Sequence, residues 1–231
     1  YHVVNAWEEG DWVVMVGCRY MPALDAQGRI DAQRTAKDVA ELVMHARLWV
    51  WKMNVRTGET AEHVLNTDHN AEFPSYNGRL TGRKTRFGYL VDHSEKVTLH
   101  WSGIRKFDLE TGADLGAWSD DPQNSWYSEP WFAEADRPQS EDHGYVVVFQ
   151  WNNALQRQTL DIFDARDIAD FHRQIFDGDF VAFGEQQRAF NRRFQLPHVA
   201  RPRIIQQQPA RVRRNLHRLA ARIGAVFAQE V

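Results

Sequence analysis

The chain holds a single cysteine, Cys18, among 231 residues. That scarcity excludes an internal disulfide framework and any zinc cluster built on thiolates. It fits a reducing, cytoplasmic setting, with Cys18 read as a small buried apolar residue. No apolar run reaches the roughly 18 residues that a membrane-spanning helix needs. None of the ten histidines falls in the His-Glu-x-x-His spacing of a zinc-protease helix. A Gly-x-Ser-x-Gly elbow, a phosphate-binding P-loop and a dinucleotide fingerprint are also missing. An enzyme on this chain would have to gather its functional groups from distant parts of the sequence. The chain begins at Tyr1 rather than Met, so a fragment, a processed chain or a trimmed one is expected, and no targeting segment can be read.

Lysine is absent from residue 186 onward. That segment carries ten arginines and one acid, Glu230, whereas residues 1–185 carry 18 basic and 30 acidic side chains. The net charge of −3 hides this split, and the two parts call for separate readings.

The first part is rich in short β-prone runs. Asp11–Gly17, Arg47–Val55, Val97–Trp101, Tyr145–Trp151 and Gln158–Phe163 concentrate β-branched and aromatic residues. Turn signals at Thr57-Gly58, Asn77-Gly78, Thr81-Gly82, Thr111-Gly112 and Asp121-Pro122 separate them. Lys52-Met-Asn-Val-Arg-Thr-Gly-Glu59 aligns with Lys106-Phe-Asp-Leu-Glu-Thr-Gly-Ala113, and Phe163-Asp-Ala-Arg-Asp167 is a weaker third copy. Each copy is a strand entering a tight polar turn. A period near 50 in a β-rich chain points to four-stranded propeller blades, against the alternative that a common hairpin turn recurs by chance. Residues 31–44 break the pattern, with Ala36, Val39, Ala40, Val43 and Met44 at helical spacing. Nine Trp and thirteen Phe imply an aromatic core or an apolar ligand tunnel. Trp49, Trp51, Trp126 and Trp131 are candidates for either, with core expected first.

After residue 167 the pattern changes. Residues 168–195 show no clean period of two. Val212, Leu216, Leu219, Ile223, Val226 and Phe227 mark one face of a basic helix expected over 210–229. Such a helix either packs one face on the body or touches a membrane surface or acidic partner.

Three segments carry the functional argument: Tyr1-His-Val-Val-Asn-Ala-Trp-Glu8; Glu72-Phe-Pro74 followed by Leu80-Thr-Gly-Arg-Lys-Thr-Arg-Phe-Gly-Tyr89; and Ser128-Glu-Pro-Trp-Phe132 followed by Glu141-Asp-His-Gly-Tyr145. In this order and spacing they resemble the C-terminal half of the carotenoid-cleavage oxygenases, which cleave carotenoids, apocarotenoids and stilbenes. The resemblance covers residues 1–167. It implies an all-β fold, a partial seven-bladed β-propeller of about three to four blades with short helical insertions, followed by a divergent Arg-rich tail over 168–231. It implies that His2 is an iron ligand, third of four in chain order, and that Glu72 and Glu129 each accept the free ring N–H of a ligating histidine. The apolar neighbours of both carboxylates are read as a demand for a partner. The family's chemistry would follow: Fe(II) held by neutral imidazoles, O₂ as co-substrate, and one C=C bond of an apolar polyene or stilbene-like substrate cleaved to two carbonyls.

The sequence departs from the family at its end. The Phe-His-Gly-like motif of the fourth histidine is expected near Glu185–Phe190, where no histidine stands. His172 is the substitute candidate and His198 the next. A shifted reading frame in a GC-rich gene would yield the Arg-rich tail, as would a lineage-specific replacement. Two functions therefore compete: the iron dioxygenase, as part of a longer parent, and an inactive propeller fragment or apolar-ligand-binding module. Nucleic-acid binding fits poorly, because the body is acidic and the tail lacks interleaved aromatics. The expected location is cytoplasmic, with peripheral membrane contact for substrate access. A propeller short of blades is expected to leave strand edges open and to be weakly stable or adhesive.

Overall fold

The computed structural model of the chain describes residues 2–43, 45–94 and 100–176, with the side chains of 171–176 excepted. These residues build three antiparallel sheets, each a meander in chain order. The first comprises β1 (Val3–Glu9), β2 (Trp12–Tyr20), β3 (Ala46–Asn54) and β4 (Thr60–Asn66). The second comprises β5 (Ala71–Ser75), β6 (Phe87–His93), β7 (Trp101–Asp108) and β8 (Asp114–Trp118). The third comprises β9 (Ser125–Tyr127), β10 (Trp131–Glu134), β11 (Gly144–Asn152), β12 (Arg157–Asp164) and β13 (Asp167–Phe176). Both β9 and β10 pair with β11 on one edge, against Gln150–Asn152 and Gly144–Val147. They are two halves of one strand, broken at Ser128–Pro130.

Alternation along the strands explains the stacking. In the first sheet Val14, Val16, Leu48 and Val50 point to one face and pack with Leu90 and Phe107 of the second. The second sheet is covered on both faces. Its Tyr89, Val91 and Ile104 pack with Tyr127, Phe132, Val146, Val148 and Phe163 of the third. The intervening odd positions of β3, Trp49 and Trp51, are only partly buried and lie on the other face of the first sheet. Trp126 is partly buried and Trp131 is exposed. None of these four tryptophans joins the core, contrary to the expectation that core comes first, because strand alternation turns them away from it.

The repeated sequence is a repeated hairpin between the third and fourth strands of a sheet. Asn54 Oδ1 accepts the N–H of Arg56 and Thr57, and Asp108 Oδ1 accepts those of Glu110 and Thr111. Gly58 and Gly112 close the two turns at φ +75°. In the third copy, Asp164 Oδ1 accepts the N–H of Arg166.

The helix α1 (Ala32–Ala40) lies between β2 and β3, with Asp31 as its N-cap accepting from Arg34 N–H. The strand expected over Val97–Trp101 is described only from His100, with β7 beginning at Trp101; 97–99 lie outside the described residues. At the other end, β13 carries the third sheet to Phe176, beyond the sequence boundary at 167. The expected basic helix over 210–229 and His198 lie outside the described residues.

Polar clamps join the sheets. Buried Asn5 of β1 donates to the carbonyls of Leu80 and Arg83 at 2.9 and 2.8 Å and accepts the N–H of Gly82. Glu141, just before β11, accepts from Thr85 Oγ and from the N–H groups of Arg86 and Phe87. The loop between β5 and β6 is thus held from the first sheet on one side and the third on the other. Lys106, 3% exposed, reaches Asp142 at 2.7 Å across the second and third sheets.

Candidate metal centre

The first strand of each sheet forms one of its edges, and each is irregular. The register of β1 shifts between Val3 and Asn5, that of β5 between Glu72 and Ser75, and β9–β10 breaks at Ser128–Pro130. Bulges of this kind re-aim side chains near functional sites. His2 stands just before the first irregularity, Glu72 at the second and Glu129 within the third. Pro74 and Pro130 sit at these interruptions, where a missing N–H costs no ladder bond. The edges also meet side by side: His2 reaches Glu72 from the first sheet to the second, and Ser75 Oγ accepts the N–H of Phe132 from the third.

Of the four sequence candidates, the structure brings His2 and Glu72 together. His2 Nδ1 lies 2.8 Å from Glu72 Oε2. The same oxygen accepts the backbone N–H of Phe73 at 2.8 Å. Phe73 adopts φ +50°, a left-handed conformation rare for an aromatic residue. That turn folds its own N–H back onto the carboxylate, and its ring lies 4.9 Å from the His2 ring and 5.4 Å, edge-on, from Trp101. The Glu72 residue is 4% exposed, whereas the His2 side chain is 55% exposed. A buried carboxylate acts as acceptor, so the proton of a neutral His2 is drawn to Nδ1 and Nε2 is left as a bare lone pair.

Cys18 completes the surroundings. It is buried, as the sequence reading held, in the core of the first sheet. Its N–H donates to the His2 carbonyl at 2.8 Å. Burial first, and the charge of Glu72 second, push the thiol well above its ordinary pKa. It therefore stays protonated. Neighbouring Gly17 has no room for a side chain without adjustment, because a Cβ there would stand 3.0 Å from the His2 carbonyl oxygen. A mostly apolar cavity of about 360 Å³ opens beside His2, bordered by Val3, Met15, Arg19 and Trp51.

Glu129 is exposed, unlike Glu72. Its apolar neighbours in sequence do not bury it, since it lies in the break of the strand rather than on a covered face. His172 falls in β13 opposite Ile162; its side chain lies outside the described part. Among the described residues no group of three His, Cys, Asp or Glu side chains could hold a metal ion. The residues present fit one imidazole ligand and its supporting carboxylate, and they do not by themselves make a closed metal site.

Sequence reasoning missed two features here. The Cys18 contact with His2 escaped it because nothing local links residue 18 to residue 2. The clamping by Asn5 and Glu141 escaped it because the partners are backbone atoms of a distant loop, although both residues lie inside the quoted motifs.

The profile of the RPE65, or retinal pigment epithelial membrane protein, family matches residues 1–175. The carotenoid 9,10(9′,10′)-cleavage dioxygenase 1 of Phaseolus vulgaris is 29% identical over 185 residues, covering 73% of this chain and 32% of that protein. The chromoplastic zeaxanthin 7,8(7′,8′)-cleavage dioxygenase of Crocus sativus is 28% identical over 175 residues, covering 71% of this chain and 43% of that protein. The crystal structure of cobalt-substituted Synechocystis ACO aligns with a TM-score of 0.60 at 23% identity, over 75% of this chain and 36% of that one. The shared fold makes the three sheets blades of a partial β-propeller. This chain spans less than half the length of each of these proteins.

Proposed function

The chain belongs to the RPE65 family, and from that premise we propose that it is part of a non-haem Fe(II)-dependent dioxygenase that cleaves a C=C bond of a carotenoid, apocarotenoid or stilbene-like substrate. The observation that carries the reading is the His2–Glu72 pair: a half-exposed imidazole whose Nδ1 is held by a buried carboxylate at 2.8 Å. Ligating histidines are commonly held in this way, with the outer partner fixing tautomer and ring direction. The names of the relatives support the substrate class.

In this reading His2 offers Nε2 to the iron. Glu72 keeps the His2 proton on Nδ1, and the Phe73 ring braces the imidazole from one side. Glu129, at the matching place in the third sheet, is free to accept the N–H of a further imidazole. A fourth ligand from β13, at His172, is the expectation carried over from the sequence. Bound iron would supply the centre at which O₂ is activated. The overall change adds both atoms of O₂ and breaks the carbon–carbon double bond, giving two carbonyl products with no other oxidant or reductant. The mostly apolar lining of the cavity beside His2 offers a surface for a polyene to lie against.

The test is cleavage under ¹⁸O₂ of a soluble apocarotenoid by the iron-loaded protein, with products read by mass spectrometry. The reading predicts two carbonyl products, each gaining one labelled oxygen, and none from His2→Ala. Iron held through His2 without product would overturn it. A second reading, an inactive module that binds apolar ligands, is favoured by one observation: the described residues hold no group of three metal-ligating side chains. It predicts substrate binding without retained iron.

A further inference from the structure

We propose that Arg19 is a specificity-determining residue of the cavity beside His2, taking the carboxylate end of an amphipathic substrate whose hydrocarbon lies against Val3, Met15 and Trp51. The inference rests on the oxygenase reading and deepens it by naming a substrate class, a polyene or stilbene-like acid. The cavity lies on the open face of the first sheet. Met15, Gly17 and Arg19 alternate along β2 on that face. Val3 stands opposite Gly17 on β1, and Trp51 stands opposite Met15 on β3. Gly17 adds no side chain between them, so the strip stays open. Of the residues that border the cavity, Arg19 alone carries a permanent charge. It stands four residues beyond Met15, about 13 Å along a strand, so the charge sits at one end of an apolar strip.

The guanidinium is held in place before any ligand arrives. Its Cζ lies 4.4 Å from the centroid of the Trp49 ring, and Nη1 donates to Glu62 Oε1 at 2.9 Å. Stacking on an aromatic face pre-organises the planar fork. Glu62 takes one corner of that fork; Nε and Nη2 have no partner among the described residues. The Arg19 side chain is 37% exposed, so a ligand can reach the remaining donors. A guanidinium matches a carboxylate in shape as well as in charge. Two roles compete for Arg19, surface ion pair and anion receptor. An exposed ion pair contributes little to stability, and one that only packs on Trp49 would not tell an acid from an alcohol.

The experiment uses the whole metal-free chain at neutral pH and two probes of one skeleton, trans-stilbene with a para carboxylate and trans-stilbene with a para hydroxymethyl group. Equilibrium dialysis measures the affinity for each. The proposal predicts that the acid binds about tenfold more tightly than the alcohol, as one charged hydrogen bond would give. Arg19→Gln should abolish that difference by weakening the acid alone. Glu62→Gln, at an exposed site, removes the competing carboxylate and should strengthen the acid alone; it decides the matter if Arg19→Gln fails to fold. Equal affinities in wild type, no binding of either probe, or acid affinity unmoved by the substitutions would overturn the proposal. Because binding is read without metal, failure of the oxygenase reading would appear separately, as Arg19-dependent acid binding in a chain that yields no labelled carbonyl product.

Discussion

At the scale of the residue, the site turns on a carboxylate placed where water cannot reach it. Glu72 is buried and answered by His2 and Phe73; Glu129 is exposed. Removing an outer partner of a ligating histidine typically costs 10–100-fold in metal affinity. Glu72→Ala is therefore expected to lower His2-dependent iron affinity by about 10–100-fold, read by competition with a chelator; an unchanged affinity would contradict the role given to Glu72. His93 offers a second test. Its Nδ1 donates to the Ser94 carbonyl at 2.8 Å, and its buried Nε2 has no partner among the described residues. Burial pushes its pKa below 6.5, with His45 and His100 adding to the shift and Glu72 opposing it. The folded protein thus favours neutral His93. This contribution is present above the ordinary value and is lost as pH falls through the lowered folded value. Urea midpoints at pH 7.5 and 5.5 should drop more in wild type than in His93→Gln, and equal drops would rule His93 out as the cause. His2 and Glu72 were legible in the sequence because each sits in a distinctive peptide. The exposure of Glu129 was not, because burial depends on which face of which strand a residue takes, and the strand breaks there.

At the scale of the element, the same hairpin closes two blades in different company. Gly58 and Gly112 share φ +75°, but a Cβ at Gly58 meets open space, whereas one at Gly112 would overlap the Leu65 carbonyl oxygen of the neighbouring sheet. Alanine at a left-handed position costs about 1–2 kcal/mol from backbone strain alone. Gly58→Ala should show roughly that loss in urea unfolding, and Gly112→Ala a clearly larger one; equal losses would mean the second and first sheets do not meet as described. Lys106 is the other inter-sheet device. Breaking a buried ion pair by removing one partner costs about 3–5 kcal/mol, and Lys106→Ala should approach that range in the same measurement, since Asp142 is left behind largely buried. The hairpins were readable in advance from the repeat, with its turn acid or amide and its glycine at fixed offsets. The clamps at Asn5, Glu141 and Lys106 were not, since they act between segments that only the stacked sheets bring together.

At the scale of the whole described unit, three blades stack with the middle one sealed on both faces and the first open on one. Val3 is 51% exposed on that open side, near Met15 and Trp51. Exposed apolar patches promote association. The chain should self-associate in sedimentation velocity as concentration rises, and Val3→Lys should reduce this; a monomer at all concentrations would contradict the exposure of this face. The alternation of strands and turns made the all-β architecture readable, and the period near 50 made the blades readable. The direct test of the whole account is iron per chain after anaerobic Fe(II) loading and desalting, for wild type and His2→Ala side by side. The account predicts iron retained by wild type and lost in His2→Ala. Equal iron in the two proteins, whether retained or absent, would contradict it.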